Sequence, residues 1–360
     1  MATLQEEPEF ERLPDLYQRW VEQLLPAGIP REREATCLDC AMCAGHDEVV
    51  DADFGYYNPA TKCCTYFPEL PNFLAGRAMA NDNPGAAALR AIVEDPREIR
   101  GGATLRSVQS NAKIATLYAH HSKSGFGRDP EMLCPYVIDA DGPTGPRCGI
   151  WKQRNAVCST WFCKHGKGMT GVRFWQTLQG FFTRLEWSLS WWAITQVLVR
   201  PGDAISAGTP EADLRIRLAL RPDAWKLWPG SRRSFYESCA EAVEDLSMEE
   251  AIAIGGIDAQ LTQMALKSRF EELHEVDLPE RLRVAPYSIL RANPKRATLQ
   301  AKSGTEPIEA PAALLPLLPH FVGDDTEETL ESIREQTQIR LDPKLVRRLY
   351  DFGLLERVED

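Results

Sequence analysis

The sequence predicts a mainly α-helical protein with a loop-rich, cysteine-ligated metal region in its first half and a small α+β domain at its C-terminus. Three observations carry this. Several long stretches place apolar residues at helical spacing, nine of the ten cysteines fall between residues 37 and 163, and the pattern changes to short extended stretches from about residue 284. At 360 residues the chain exceeds the usual size of a single core. The expected division is a cysteine-cluster domain over 1–170, a helical domain over 171–283 that packs on it, and a third domain over 284–360.

Residues 10–25 space Leu13, Leu16, Tyr17, Trp20, Val21 and Leu24 by threes, ones and fours, an amphipathic helix in which Pro14 lies near the start. It ends before Pro26-Ala27-Gly28, and the first cysteines follow in a loop. Residues 51–71 read as irregular, with Tyr56, Tyr57 and Tyr66 around the Cys63-Cys64 pair. Helical patterns resume over 85–94 and 103–120, broken at Gly101-Gly102. Residues 122–148 are rich in Gly, Pro and Asp, which places the central cysteines on loops pinned by something other than regular structure.

From 171 to 199 the chain is strongly helical and aromatic, with Phe174, Trp175, Phe181, Phe182, Trp187, Trp191 and Trp192; it reads as a core helix. Arg184 and Glu186 inside the apolar run 181–199 argue for a buried helix over a membrane span. Further helices are expected within 211–276, including 232–245 and 257–275. The tail alternates: extended at 287–290 and 297–302, rich in Pro and Leu over 311–321, then a helix starting at Thr326 beside Glu327 and Glu328, and a last helix over 342–351 ending at Gly353. This order reads as winged-helix-like.

A net charge of −11 excludes a general binder of nucleic acid or anionic membranes, since both need a basic surface. The acidic N-terminal stretch lacks the basic and apolar regions of a signal peptide, so the expected location is cytoplasmic. In a reducing compartment, crowded cysteines point to metal ligation or redox chemistry before disulfides. Cys239, alone in a helical pattern, is the one that reads as a small buried apolar residue.

Thiolates close together repel one another, so a cluster of them is stable when a cation holds it. Cys37, Cys40 and Cys43 repeat at two-residue spacing, as in ferredoxins whose successive cysteines wrap a cubane and whose fourth ligand is remote. Cys63, Cys64, or one of Cys134, Cys148, Cys158 and Cys163 is the candidate fourth ligand. His165 and His46 are each near enough in sequence to replace a thiolate. Between residues 142 and 185 there is no Asp or Glu, while Arg147, Lys152, Arg154, Lys164, Lys167, Arg173 and Arg184 supply seven positive charges. Such an island, with Lys152, Arg154 and Lys164 nearest the cysteines, suits a negatively charged metal–thiolate centre, an anionic substrate or cofactor, or a solvated face.

The run Cys134-Pro135-Tyr136-Val137, Cys148-Gly149-Ile150-Trp151, Arg154 and Cys158 to Cys163 resembles the CxxCxxCC (YkgJ-like) family of zinc- or iron-chelating proteins over residues 37–165. Asn155 stands where that family usually has Pro, and the adjacent cysteine pair lies at 63–64 instead of directly after the C-x2-C-x2-C run. Relatives implied by the resemblance include flagellin lysine methylases. In the tail, Gly323 to Glu328 and Leu349 to Leu355 resemble the PqqD-like peptide-recognition winged helix, and ten Lys and Arg against thirteen Asp and Glu over 285–360 favour peptide over DNA there.

Three functions follow as expectations. The first is an iron–sulfur protein, with one or two clusters of the 4Fe-4S type, acting in redox or group-transfer modification of a peptide or protein held by the C-terminal domain. The second is a non-catalytic protein in which zinc replaces a missing core. The third, by family analogy, is a SAM-dependent lysine methylase, although the C-x3-C-x2-C spacing of radical-SAM enzymes and a Gly-rich SAM loop are both missing. A Cys163–His165 nucleophile is the remaining enzymatic reading.

Overall fold

The computed structural model describes residues 13–25, 40, 42–43, 57–81, 83–95, 101–139, 145–198, 224–304 and 306–358, the side chains of 122 and 123 excepted. The fold is mainly helical, and its described strands form four small antiparallel sheets. No described helix is long and apolar enough to cross a membrane. The chain divides into two compact units: Met1–Ile29, Thr36–Trp161 and Leu178–Gln263 form the first, and Pro30–Ala35, Phe162–Thr177 and Met264–Asp360 the second.

In the first unit the helix Asp15–Leu24 buries the stripe the sequence marks out, Leu16, Tyr17, Trp20, Val21 and Leu24. The Tyr17 ring stacks on Phe182 at 4.3 Å, and Trp20 donates its indole N–H to the carbonyl of Leu246 at 2.9 Å. Phe181, Phe182, Leu185 and Leu189 of the helix Gly168–Leu198 are fully buried. The helix Asn72–Ala80 packs against Arg232–Glu244, with Gly76 directly on the carbonyl of Tyr236. Met248–His274 is kinked at Gly256, whose φ of 64° is left-handed; the helical pattern predicted from residue 257 begins just after it.

The helix expected over 103–120 starts only at Ala112. Ser107–Ser110 is instead the central strand between Leu70–Pro71 and Gly101–Ala103, with Val108 opposite both Leu70 and Ala103. Val108 is fully buried there, and pairing on both sides overrides the local helical pattern.

In the second unit, Arg281–Val284 is the central strand between Val322–Asp325 and Leu355–Arg357, while Tyr287–Ala292, Arg296–Ala301 and Ile308–Pro311 form a second sheet. Leu282, Leu299, Ile308, Phe321, Ile333, Val346 and Leu349 share one core with them. The helix Thr326–Thr337 is capped by Asp325, whose carboxylate accepts from Glu328 N at 2.9 Å. Thr326, expected to cap it, gives its hydroxyl to the carbonyl of Pro279 at 2.8 Å. Buried Arg347 of the helix Pro343–Asp351 reaches Asp351 and the carbonyls of Asp277 and Glu272.

Candidate metal centre

Five of the candidate thiols line one cavity of about 220 Å³ in the first unit: Cys63, Cys64, Cys134, Cys148 and Cys158. They arrive on four different local devices. Cys63 and Cys64 lie in a run of turns that begins where Asn58 accepts from the backbone of Ala60. The carbonyl of Cys64 accepts from Cys134 N at 2.8 Å, which ties the two cysteine segments together. Cys134 follows the turn Pro130–Met132, capped by Asp129.

Cys148 and Cys158 depart from the loops expected for them. Cys148 sits in a two-residue strand paired with Val137–Ile138, and Val137 is its register partner. The next residue, Gly149, lies so close to Gly85 that a Cβ on it would meet Gly85 N at 2.6 Å; Gly85 N donates to the Gly149 carbonyl at 2.9 Å. Glycine is required on both sides of this approach, and it pins the Cys148 turn to the start of the helix Ala86–Glu94. Cys158 lies in the short helix Ala156–Thr160, where Asn155 Oδ1 accepts from its N–H at 3.0 Å. Asn155 is thus the cap of that turn, a role its short polar side chain suits.

The rest of the cavity wall is aromatic and aliphatic, including Tyr66, Tyr118, Phe126, Tyr136, Ile150, Trp151 and Trp161. Arg154 is the basic residue among them. It is buried, its guanidinium lies 3.4 Å from the centre of the Trp151 ring, and it donates to the carbonyls of Cys158 and Trp151 at 2.9 and 3.1 Å.

Three thiols of this region are held well above their ordinary range. Burial raises the Cys158 thiol far above its ordinary value, Cys148 raises it further, and Arg154 only partly opposes them. A hydrogen bond with Cys64 and then burial raise Cys63. Burial and the neighbouring Cys40 push Cys43 up to about 12. These thiols stay protonated on their own, and a bound metal reverses that by replacing the protons.

Cys40 raises both Cys43 and Cys63, and Cys63 raises Cys43, which places these two thiols of the C-x2-C-x2-C run near the cavity group. Cys37 and His46 lie outside the described residues. Cys163 and Lys164 belong to the second unit, and Lys152 is exposed on the turn Trp151–Gln153. Cys239 is fully buried in the helix Arg232–Glu244, away from the cavity lining. Much of the basic island is engaged elsewhere: Arg147 pairs with Asp139, Arg173 with Glu272 at 3.1 Å and Arg184 with Asp258 at 3.5 Å. Among the described residues no three Cys, His, Asp or Glu side chains converge on a point as the ligands of a single metal ion do.

One residue beneath the site was not singled out for function in the sequence. Glu186 is buried, accepts from Ala156 N at 2.6 Å and from the Tyr17 hydroxyl, and so holds the first residue of the Cys158 helix. Its signal was a lone acid on an aromatic helix face, four residues after buried Phe182. Burial raises its carboxyl from 4.5 to about 8, against the hydrogen bonds from Tyr17 and Ala156, which lower it. The folded state therefore holds a proton that the unfolded chain releases, so this group favours folding at low pH and the advantage is lost as pH rises from about 4.5 through about 8. Glu186→Gln keeps both acceptor contacts and is expected to gain a few kcal/mol of stability relative to the wild type between those limits, read by denaturant unfolding at about pH 5 and about pH 8.

Compared with family models, with curated proteins and with solved structures, the chain gives no match.

Proposed function

We propose that the protein carries a cysteine-ligated iron–sulfur cluster in the cavity of the first unit and uses it in redox or group-transfer modification of a peptide or protein held by the C-terminal part of the chain. The observation that carries this reading is the convergence of five thiols from four separate stretches on one cavity. Burying them together is unfavourable without a positive partner. A cavity of about 220 Å³ lined in part by five thiols has room for a multi-iron body.

Cys63, Cys64, Cys134, Cys148 and Cys158 would hold the cluster, with Cys40 and Cys43 beside them, and the cluster would supply electron transfer. Arg154 contributes fixed positive charge at the wall, and the aromatic lining limits water. Support for a peptide substrate is the acidic balance of residues 285–360 and their likeness to peptide-recognition winged helices. A reducing, cytoplasmic setting agrees with keeping these thiols available for metal.

Structural zinc at the same thiols is the second reading, favoured by the shortness of the surrounding elements, since the strands carrying Val137 and Cys148 are two residues long. Protein purified without oxygen is expected to be brown, with broad visible absorption, iron and acid-labile sulfide. Colourless protein carrying stoichiometric zinc would decide for the second reading.

A further inference from the structure

Tyr136 stands between two of the cysteine segments that meet at the cavity of the first unit. Val137 N donates to the carbonyl of Cys134 at 3.1 Å, and Gly149 N, next after Cys148, donates to the carbonyl of Tyr136 at 2.8 Å. Phe67 packs edge-on against the Tyr136 ring at 5.7 Å. Backbone and ring are both fixed in this way, and the ring belongs to the wall that carries Cys63, Cys64, Cys134, Cys148 and Cys158.

The Tyr136 hydroxyl is buried, and no described residue, the five thiols included, takes its hydrogen bond. Tyr236, equally buried, shows the ordinary arrangement: its hydroxyl donates to the carbonyl of Thr104 at 2.6 Å. A buried donor left unmade is unfavourable, and buried phenols ordinarily find an acceptor. Burial raises the Tyr136 phenol far above its ordinary range, and Cys134, Tyr236, Cys148 and Cys158 raise it further, so the hydroxyl lies in the field of three cavity thiols.

The acceptor is then something the cavity takes up. A buried water needs about two to four polar partners, and most of this wall is aromatic and aliphatic. A single metal ion held by the thiols brings no acceptor of its own. An iron–sulfur cluster does, because its sulfurs carry negative charge and accept hydrogen bonds.

We propose that the Tyr136 hydroxyl donates a hydrogen bond to a sulfur of the iron–sulfur cluster held in this cavity, and so raises its reduction potential. The inference rests on the cluster reading above. It makes Tyr136 a tuning residue rather than a ligand. A cluster gains negative charge when it takes up an electron, so a donor aimed at its sulfur favours the reduced form.

Redox titration of the full chain, purified without oxygen, compares the wild type with Tyr136→Phe, which removes one oxygen and keeps the ring. The variant is expected to retain its iron and labile sulfide. At a fixed potential its ratio of reduced to oxidised cluster falls about tenfold, the worth of about one hydrogen bond, which is about 59 mV for one electron. Iron–sulfur stretching bands of the wild type shift on transfer into D2O, and the shift shrinks in Tyr136→Phe. Tyr236→Phe is the control: it loses a buried hydroxyl bonded to backbone, so it unfolds at lower urea but keeps both cluster readouts. A cluster with the same potential and the same D2O response in Tyr136→Phe overturns the inference and leaves the cluster reading intact. An equal fall in potential in both variants also overturns it, since altered packing would then be the cause. The wild-type spectrum stands without any variant, and bands that ignore D2O overturn the inference on their own. Protein carrying zinc and no sulfide overturns both readings.

Discussion

Cys148→Ala and Cys158→Ala are each expected to strip most of the metal from anaerobically purified protein, while Cys239→Ala leaves its metal content unchanged. All three thiols lie in structured parts of the first unit, so the comparison separates ligation from folding. Cys148 and Cys158 line the cavity, and burial and the neighbouring Cys148 raise the Cys158 thiol. Losing one ligand of a shared centre costs far more affinity than one contact would suggest, because the remaining thiols then bear the unshared charge. Cys239 is raised by burial alone, with no second thiol among its causes, and behaves as a small core residue. Metal and sulfide per chain, measured beside circular dichroism to confirm folding, is the assay. Equal loss from all three variants would mean that the cavity does not define the metal site.

Gly76→Ala is expected to destabilise the protein by about 3 kcal/mol, the upper range for inserting a methyl group into a closed contact. A Cβ at this position would run into the carbonyl of Tyr236 and meet Ala240 Cβ at 2.9 Å. Backbone cannot swing aside as a side chain does, so the helices Asn72–Ala80 and Arg232–Glu244 would have to separate. That separation would disturb buried Phe73 and Phe235 as well. Urea unfolding of wild type and variant reads the change, and a variant as stable as the wild type would show that the two helices do not pack this closely in solution.

The helices were legible where amphipathic spacing is long: Asp15–Leu24, Gly168–Leu198, Arg232–Glu244 and most of Met248–His274 lie where the pattern puts them. The last of these also carried its own break, since Gly256 marks where the predicted helix begins. Residues 103–120 were misjudged because a strand such as Ser107–Ser110, paired on both sides, takes its conformation from partners about forty residues away as well as nearby. The cap of Thr326–Thr337 was placed one residue late, since Thr326 and Asp325 are both able cap formers and only the position of Pro279 decides between them.

The sequence by itself determined the chemistry of the site: which residue type is crowded, that Cys239 stands apart, and that Arg154 belongs beside the cysteines. Those readings depend on composition and short spacing, which are local. Only the tertiary structure decided the grouping. It brings Cys63 and Cys64 to Cys134, Cys148 and Cys158 around one cavity, assigns Cys163 and His165 to a different unit, and pairs Arg173 and Arg184 of the basic island with acids far away in the chain. It also set Glu186 under the Cys158 helix and Glu306 behind His165. Each of those contacts joins residues from 30 to 141 positions apart, and their energy depends on burial, which no stretch of sequence states by itself.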